Sequence, residues 1–295
     1  MRRALWRATW TLCLWTVALQ GAGAAIQVTD DTGRVVALPR PAERVVSLAP
    51  HITELVFAVG AGDRLVGTVR FADHPPAARE IPRLGDAFML NFEALVALQP
   101  DLVLLWHSGT PLRFQARLEA LGVALYRSEP SDLRGIADAM RSVSQLLGTQ
   151  LHGEAAAAEF LQRLEALRQP EDAGDGVDVF IQISAQPRYT VNNRHLIGQA
   201  LRWCGGRNVF GNTKNSVFPV SAAAVVALDP GVIVLMAAGE LEFNRMRADW
   251  TRFEGLRAVR AQRLYPASAD LLSRPAPRIV EGIAELCDRL EQARR

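Results

Sequence analysis

Val96-Ala97-Leu98-Gln99-Pro100-Asp101-Leu102-Val103-Leu104-Leu105-Trp106 is nearly repeated 130 residues later as Val226-Ala227-Leu228-Asp229-Pro230-Gly231-Val232-Ile233-Val234-Leu235-Met236. In both copies an amphipathic stretch reaches a proline, and an apolar run follows. Proline ends the helix because it lacks an N–H and pushes the residue before it out of the helical region. An apolar run without polar alternation suits a strand covered on both faces, as in a parallel sheet. One such unit in each half predicts two similar α/β lobes. Two lobes facing each other leave a cleft, and a cleft is where a ligand binds.

Outward from the first copy, the pattern alternates. The segments 26–28 and 35–38 flank Asp30-Asp31-Thr32-Gly33 and read as a hairpin. Residues 44–48 form a strand, 53–59 a helix ended by Gly60, and 65–69 a second strand. A proline-rich loop over 71–83 precedes the helix 92–98 and strand 102–106; helix 114–121, closed by Gly122, and strand 123–126 follow. This is the order of βαβ units with right-handed crossovers. Two helices then come in succession, 131–147 with Ser131 as N-cap, and a second over about 154–168, broken from the first at Gly148. Pro170 to Gly176 has linker composition, and a new strand starts at 179. The last helix spans 277–290. The reading is therefore an α/β chain of two Rossmann-like lobes with mostly parallel sheets. The first lobe covers 25–148, a single bridging helix 149–170, and the second lobe 171–295. A helical bridge cannot absorb a large φ/ψ change, so opening and closing should be small.

The amino terminus has the three parts of a secretory signal. Arg2, Arg3 and Arg7 supply charge, residues 8–19 are mostly apolar, and Ala22-Gly23-Ala24 forms a small-x-small site for cleavage near Ala24. Export with cleavage leaves two cysteines, Cys204 and Cys287, which an oxidising compartment would join. Such a loop stabilises by about 4–5 kcal/mol in the loop-closure account. The net charge of +2 with 49% hydrophobic residues is that of an ordinary globular chain. There is no basic stripe of the kind that nucleic acid requires.

Ligands of parallel sheets bind beyond the carboxyl ends of the strands. The residues there are Pro50-His51, Phe71 to His74, Trp106-His107-Ser108 and, in the second half, Tyr189, Phe218 and Asp270. An aromatic set with a few polar groups suits a large flat organic molecule. His51, His74 and His107 all follow strands, and His51 with Glu54 has a metal-site spacing, so metal or haem ligation is the competing reading. A hydrolase is a third: His107 and Ser108 are adjacent, but no Gly-x-Ser-x-Gly elbow or phosphate-cradling loop accompanies them.

Several of these motifs resemble those of the Fe/B12 periplasmic-binding protein family, and most of all its vitamin B12-binding branch. They are Val46-Ser47-Leu48-Ala49-Pro50-His51-Ile52-Thr53-Glu54-Leu55, the Asn91-Phe92-Glu93 segment running into the first repeat, Cys204-Gly205-Gly206 with Asn208-Val209-Phe210, and Arg274-Pro275-Ala276-Pro277-Arg278-Ile279. The resemblance spans essentially the whole exported chain. It implies a periplasmic monomer that binds cobalamin or a related corrinoid as cargo, with no resident cofactor. It also implies delivery to an inner-membrane ABC permease and its ATPase. Haem, a ferric siderophore or a metal is the alternative cargo for the same fold. The resemblance carries ligand contact onto Phe71, Phe88, Trp106, Tyr189 and Arg274, and onto Phe218 with one residue gapped; His107 and Asp270 join the expected site from their positions beyond the strands. Leu271 stands where those relatives have an aromatic. Glu93 matches an acidic residue that docks on the permease, whereas the repeat places Ala223 at the equivalent position of the second lobe.

Overall fold

The computed structural model describes residues 25–169 and 176–295. The expected signal segment and most of the linker lie outside these residues. In chain order the strands are β1 (Ile26–Thr29), β2 (Val35–Leu38), β3 (Val45–Ser47), β4 (Leu65–Gly67), β5 (Leu102–Trp106), β6 (Ala124–Ser128), β7 (Val177–Gln182), β8 (Tyr189–Val191), β9 (Gly206–Asn208), β10 (Val217–Pro219), β11 (Val232–Ala237) and β12 (Leu264–Ser268). The helices are α1 (Pro50–Ala58), α2 (Phe92–Ala97), α3 (Leu112–Ala120), α4 (Gly135–Leu146), α5 (Gln150–Ala166), α6 (Leu196–Trp203), α7 (Ala222–Leu228), α8 (Glu240–Thr251), α9 (Arg257–Arg260), α10 (Ala269–Leu272) and α11 (Ile279–Arg294).

Each lobe is built on a four-stranded parallel sheet. Their orders, β4-β3-β5-β6 and β9-β7-β11-β12, are the same topology with the two repeat strands, β5 and β11, in the same interior place. The match extends to the helices before them. Asn91 caps α2 by accepting from Ala94 N at 3.0 Å, and Ser221 caps α7 by accepting from Ala224 N at 3.2 Å. Both turns then use a left-handed residue, Gln99 at φ 47 and Asp229 at φ 42. Both strands are covered on two faces, as their composition requires. Leu102 and Leu104, like Val232 and Val234, enter a large core shared by the two lobes. Val103 and Leu105 enter a smaller core on the other side of the first sheet, and Ile233 and Leu235 its counterpart in the second.

The β1–β2 hairpin is antiparallel, as expected. The bridge is α5, which packs against α4 so closely that a Cβ on Gly153 would stand 2.2 Å from Ser144 Cβ. The back of the molecule is tied by Trp203 Nε1 donating to the Leu164 carbonyl at 2.8 Å and Gln169 N to the Trp203 carbonyl at 2.9 Å. Cys204 at the end of α6 and Cys287 in α11 are disulfide-bonded, with Cα atoms 4.7 Å apart.

Several boundaries differ from the sequence reading. The first helix starts at Pro50 instead of residue 53, because a proline at the first helical position loses no hydrogen bond. The helix expected from 131 begins at Gly135, with Asp132 and not Ser131 accepting from its amide at 2.8 Å. Ser131 is engaged elsewhere: its carbonyl, and the Leu133 amide, bond the side chain of Gln199 in the second lobe. The helix read at about 154–168 is Gln150–Ala166, starting four residues earlier and ending two earlier. The C-terminal helix runs from Ile279 to Arg294, and α8 was not anticipated. Among the described residues no helix is long and apolar enough to cross a membrane.

Candidate ligand-binding cleft

The carboxyl ends of β5, β6 and β11 converge with the amino end of α6 on a cavity of about 480 Å³ between the lobes. Trp106, Glu129 and Ser131 line it from the first lobe, and His195, Met236 and Leu272 from the second. Trp106 is the last residue of β5, so its side chain leaves the sheet at the cleft, where it is 37% exposed. Its ring lies over Gly109, whose hypothetical Cβ would come within 1.9 Å of it, so only glycine leaves room. The indole also packs against His51 in a T-shaped arrangement, 5.4 Å between centroids at 87°. His51 is buried, and burial first, then the positive charge of Arg274, pushes its pKa down to about 3. It is therefore neutral, and its Nε2 has no hydrogen-bond partner among the described residues.

The loop after β5 is fixed by neighbours. His107 N donates to the Ser128 carbonyl at 3.1 Å, and the His107 carbonyl accepts from Gln115 Nε2 at 2.8 Å. Ser108 donates its amide and its hydroxyl to the two oxygens of Glu129, at 2.8 and 3.0 Å. The serine thus hydrogen-bonds a carboxylate and not the adjacent histidine. Phe71 and Phe88 belong to the first lobe and are 69% and 83% exposed; neither lines this cavity. Phe88 is held at a tight turn where Asp86 accepts from the amides of Phe88 and Met89, and these hydrogen bonds lower the Asp86 pKa.

The second-lobe aromatics divide. Strands β8 and β10 pair with Tyr189 opposite Pro219 and Phe218 opposite Thr190. Side chains alternate along a strand, so Tyr189 and Phe218 stand on opposite faces of this ribbon. Phe218 rests its half-buried ring on Phe210, 5.9 Å between centroids. The sequence-derived set is therefore not one continuous wall.

Arg274 is no surface partner of Asp270 alone. Its guanidinium donates to Glu54 Oε1 at 2.8 Å, to Asp73 Oδ1 at 3.4 Å and to the Phe71 carbonyl at 3.2 Å, besides pairing with Asp270 at 2.5 Å. Arg278 reaches the same Glu54 with two hydrogen bonds of 2.8 Å, which raises the arginine's pKa further. Glu54 is consequently engaged with arginines and cannot pair with His51 at a metal. Among the described residues no group of three or more His, Cys, Asp or Glu is placed to hold a metal ion, so His51, His74 and His107 do not form one. Sequence reasoning missed this cluster. A signal was present: Glu54 is a lone carboxylate in the apolar helix 52–58, and a buried charge requires a partner.

Comparison with known proteins places the chain in a class. The periplasmic binding protein family matches residues 45–271, and the chain belongs to that family. It is 34% identical over 264 residues to the vitamin B12-binding protein of Vibrio cholerae, covering 90% of this chain and 95% of that relative. The crystal structure of the periplasmic vitamin B12 binding protein BtuF of Vibrio cholerae superposes with a TM-score of 0.78 at 34% identity, covering 86% of this chain and 99% of that one. A periplasmic heme binding protein from Pseudomonas aeruginosa superposes with a TM-score of 0.70 at 26% identity, covering 83% and 91%.

Proposed function

We propose that this chain is the periplasmic substrate-binding protein of an ABC importer, and that it carries cobalamin or a related corrinoid in the interlobe cleft to an inner-membrane permease and its ATPase. The observation that carries the reading is the half-exposed Trp106 lining a cleft between the lobes, with Phe71 and Phe88 exposed on the same lobe, in a chain 34% identical over 264 residues to a vitamin B12-binding relative. Large aromatic side chains left in water at a concave edge mark a surface made to be covered. Tyr189, His107, Asp270 and Arg274 supply the polar contacts around that set. The protein binds and releases its cargo without chemistry, as a monomer exported by cleavage near Ala24.

A haem is the second reading, supported by the likeness to the Pseudomonas aeruginosa protein. Exposing the mature protein to a mixture of corrinoids, haem and ferric siderophores, then weighing the complex by native mass spectrometry, separates the two. A corrinoid mass is expected; a haem mass, with a Soret band in the visible spectrum, would replace this reading by the second.

Docking on the permease belongs to the outer ends of the lobes. Glu93 is exposed in the first turn of α2, while Ala223, its equivalent on α7, is exposed beside Val226 and Leu228, themselves 39% and 45% exposed. The first lobe engages by charge and the second through apolar or other contacts. A charged pair at an interface rim chiefly steers association. Glu93→Ala should slow uptake by the cognate importer several-fold, by roughly 3- to 30-fold if the pair is partly desolvated. Uptake at the wild-type rate would remove Glu93 from the interface.

A further inference from the structure

Five charged side chains meet at the junction of the lobes: Glu54 and Asp73 from the first, Asp270, Arg274 and Arg278 from the second. They are unequal in burial. The Glu54 side chain is 3% exposed, those of Arg274 and Arg278 are 15% and 19%, and that of Asp73 is 54%. Arg278 takes both oxygens of Glu54 as a fork, the strong form of a guanidinium–carboxylate pair. Arg274 is divided. Its Nη1 serves Glu54 and, at the longer distance of 3.4 Å, Asp73; its Nη2 serves Asp270 and the Phe71 carbonyl. A guanidinium has five N–H donors; here three hydrogen bonds engage both donors of Nη1 and one of Nη2, and Asp270 adds an ion pair to Nη2. A ligand that hydrogen-bonds Nη1 of Arg274 must displace one of its two acceptors there, and Asp73 is the more distant of them.

We propose that Glu54 is a positioning residue that pins the two lobes at a fixed angle and presents Arg274 to the cleft, and that Asp73 competes with the ligand for that arginine. The proposal rests on the reading of the cleft as a corrinoid site. The two carboxylates touch the same guanidinium yet act in opposite directions, and the reason is burial. Removing the Glu54 charge leaves two largely buried guanidiniums without their main counter-charge, which is strongly destabilising for the arrangement. Asp73 makes one long, solvent-exposed contact, of a kind that contributes little to holding structure. Its removal frees a donor at little structural cost.

The test titrates the mature protein with cyanocobalamin. Glu54→Gln should weaken binding by roughly 10-fold or more, as breaking a buried pair does, with partial recovery in Glu54→Asp. Asp73→Asn should tighten binding by about 2- to 5-fold, the scale of an exposed pair. A purely structural cluster would move both variants the same way, so unchanged or weaker binding in Asp73→Asn overturns the competition. The pin has its own readout in ligand-free protein. Spin labels on Arg79→Cys and Arg245→Cys, exposed sites on opposite lobes, report the interlobe distance. A narrow distribution is expected with Glu54 and a broad one with Glu54→Gln; identical distributions overturn the pin. If cyanocobalamin does not bind the wild-type protein, the corrinoid reading and the competition fall together, and the spin-label distances alone decide the pin.

Discussion

The two repeat units, Asn91–Trp106 and Ser221–Met236, solve one structural problem with the same devices and then diverge in chemistry. Each starts with a side-chain cap, turns through a left-handed residue and sends a strand into the same interior place of its sheet. Among the differences, one falls at each end of the unit. At the outer end the first unit presents Glu93 and the second Ala223; at the cleft end the first presents Trp106, 37% exposed, and the second Met236, 3% exposed. Positions that face protein on every side are constrained to similar apolar residues. The ends of the units are under less of that constraint, and there Glu93 and Trp106 stand against Ala223 and Met236.

The comparison breaks most visibly if the buried halves are not equivalent. Leu105 and its counterpart Leu235 are both fully buried, each in the smaller core of its own lobe. Leu105→Ala and Leu235→Ala should each destabilise by about 2–5 kcal/mol in denaturant unfolding, the range for a leucine truncated in a packed core. A cost below about 1 kcal/mol at one site only would show that the two sheets are not packed alike, since buried leucine truncations do not fall so low.

A smaller effect sharpens the same comparison at the caps. Asn91→Ala and Ser221→Ala each remove one acceptor from a short helix, and each should cost about 1 kcal/mol. A neutral Ser221→Ala beside a costly Asn91→Ala would mean that α7 is held by its packing alone.

The parts of the fold that were legible in the sequence are those with local causes. Strands β5 and β11 were readable because burial on two faces forces an apolar run, and the helices before them because proline ends them. The helix start at residue 131 was misread because Ser131 is a good cap in isolation, while the fold uses its carbonyl to bind Gln199, 68 residues away. Of the site, Trp106 was legible as the residue that leaves a buried strand, and its exposure follows from that place. Phe218 was read without its pairing register, which turns it to the face opposite Tyr189. The Glu54 cluster was out of reach because its partners lie 220 and 224 residues along the chain, and no local pattern encodes which arginines a buried glutamate will meet.

The central claim is that the cleft beside Trp106 holds a corrinoid. Calorimetric titration of the mature wild-type protein and of Trp106→Ala with cyanocobalamin tests it most directly. The account predicts saturable binding of one corrinoid per chain, and weakening by roughly 10-fold or more in Trp106→Ala, the scale of losing a buried aromatic anchor. Wild-type protein that takes up no cyanocobalamin, or a Trp106→Ala variant that binds it as tightly as wild type, would contradict it.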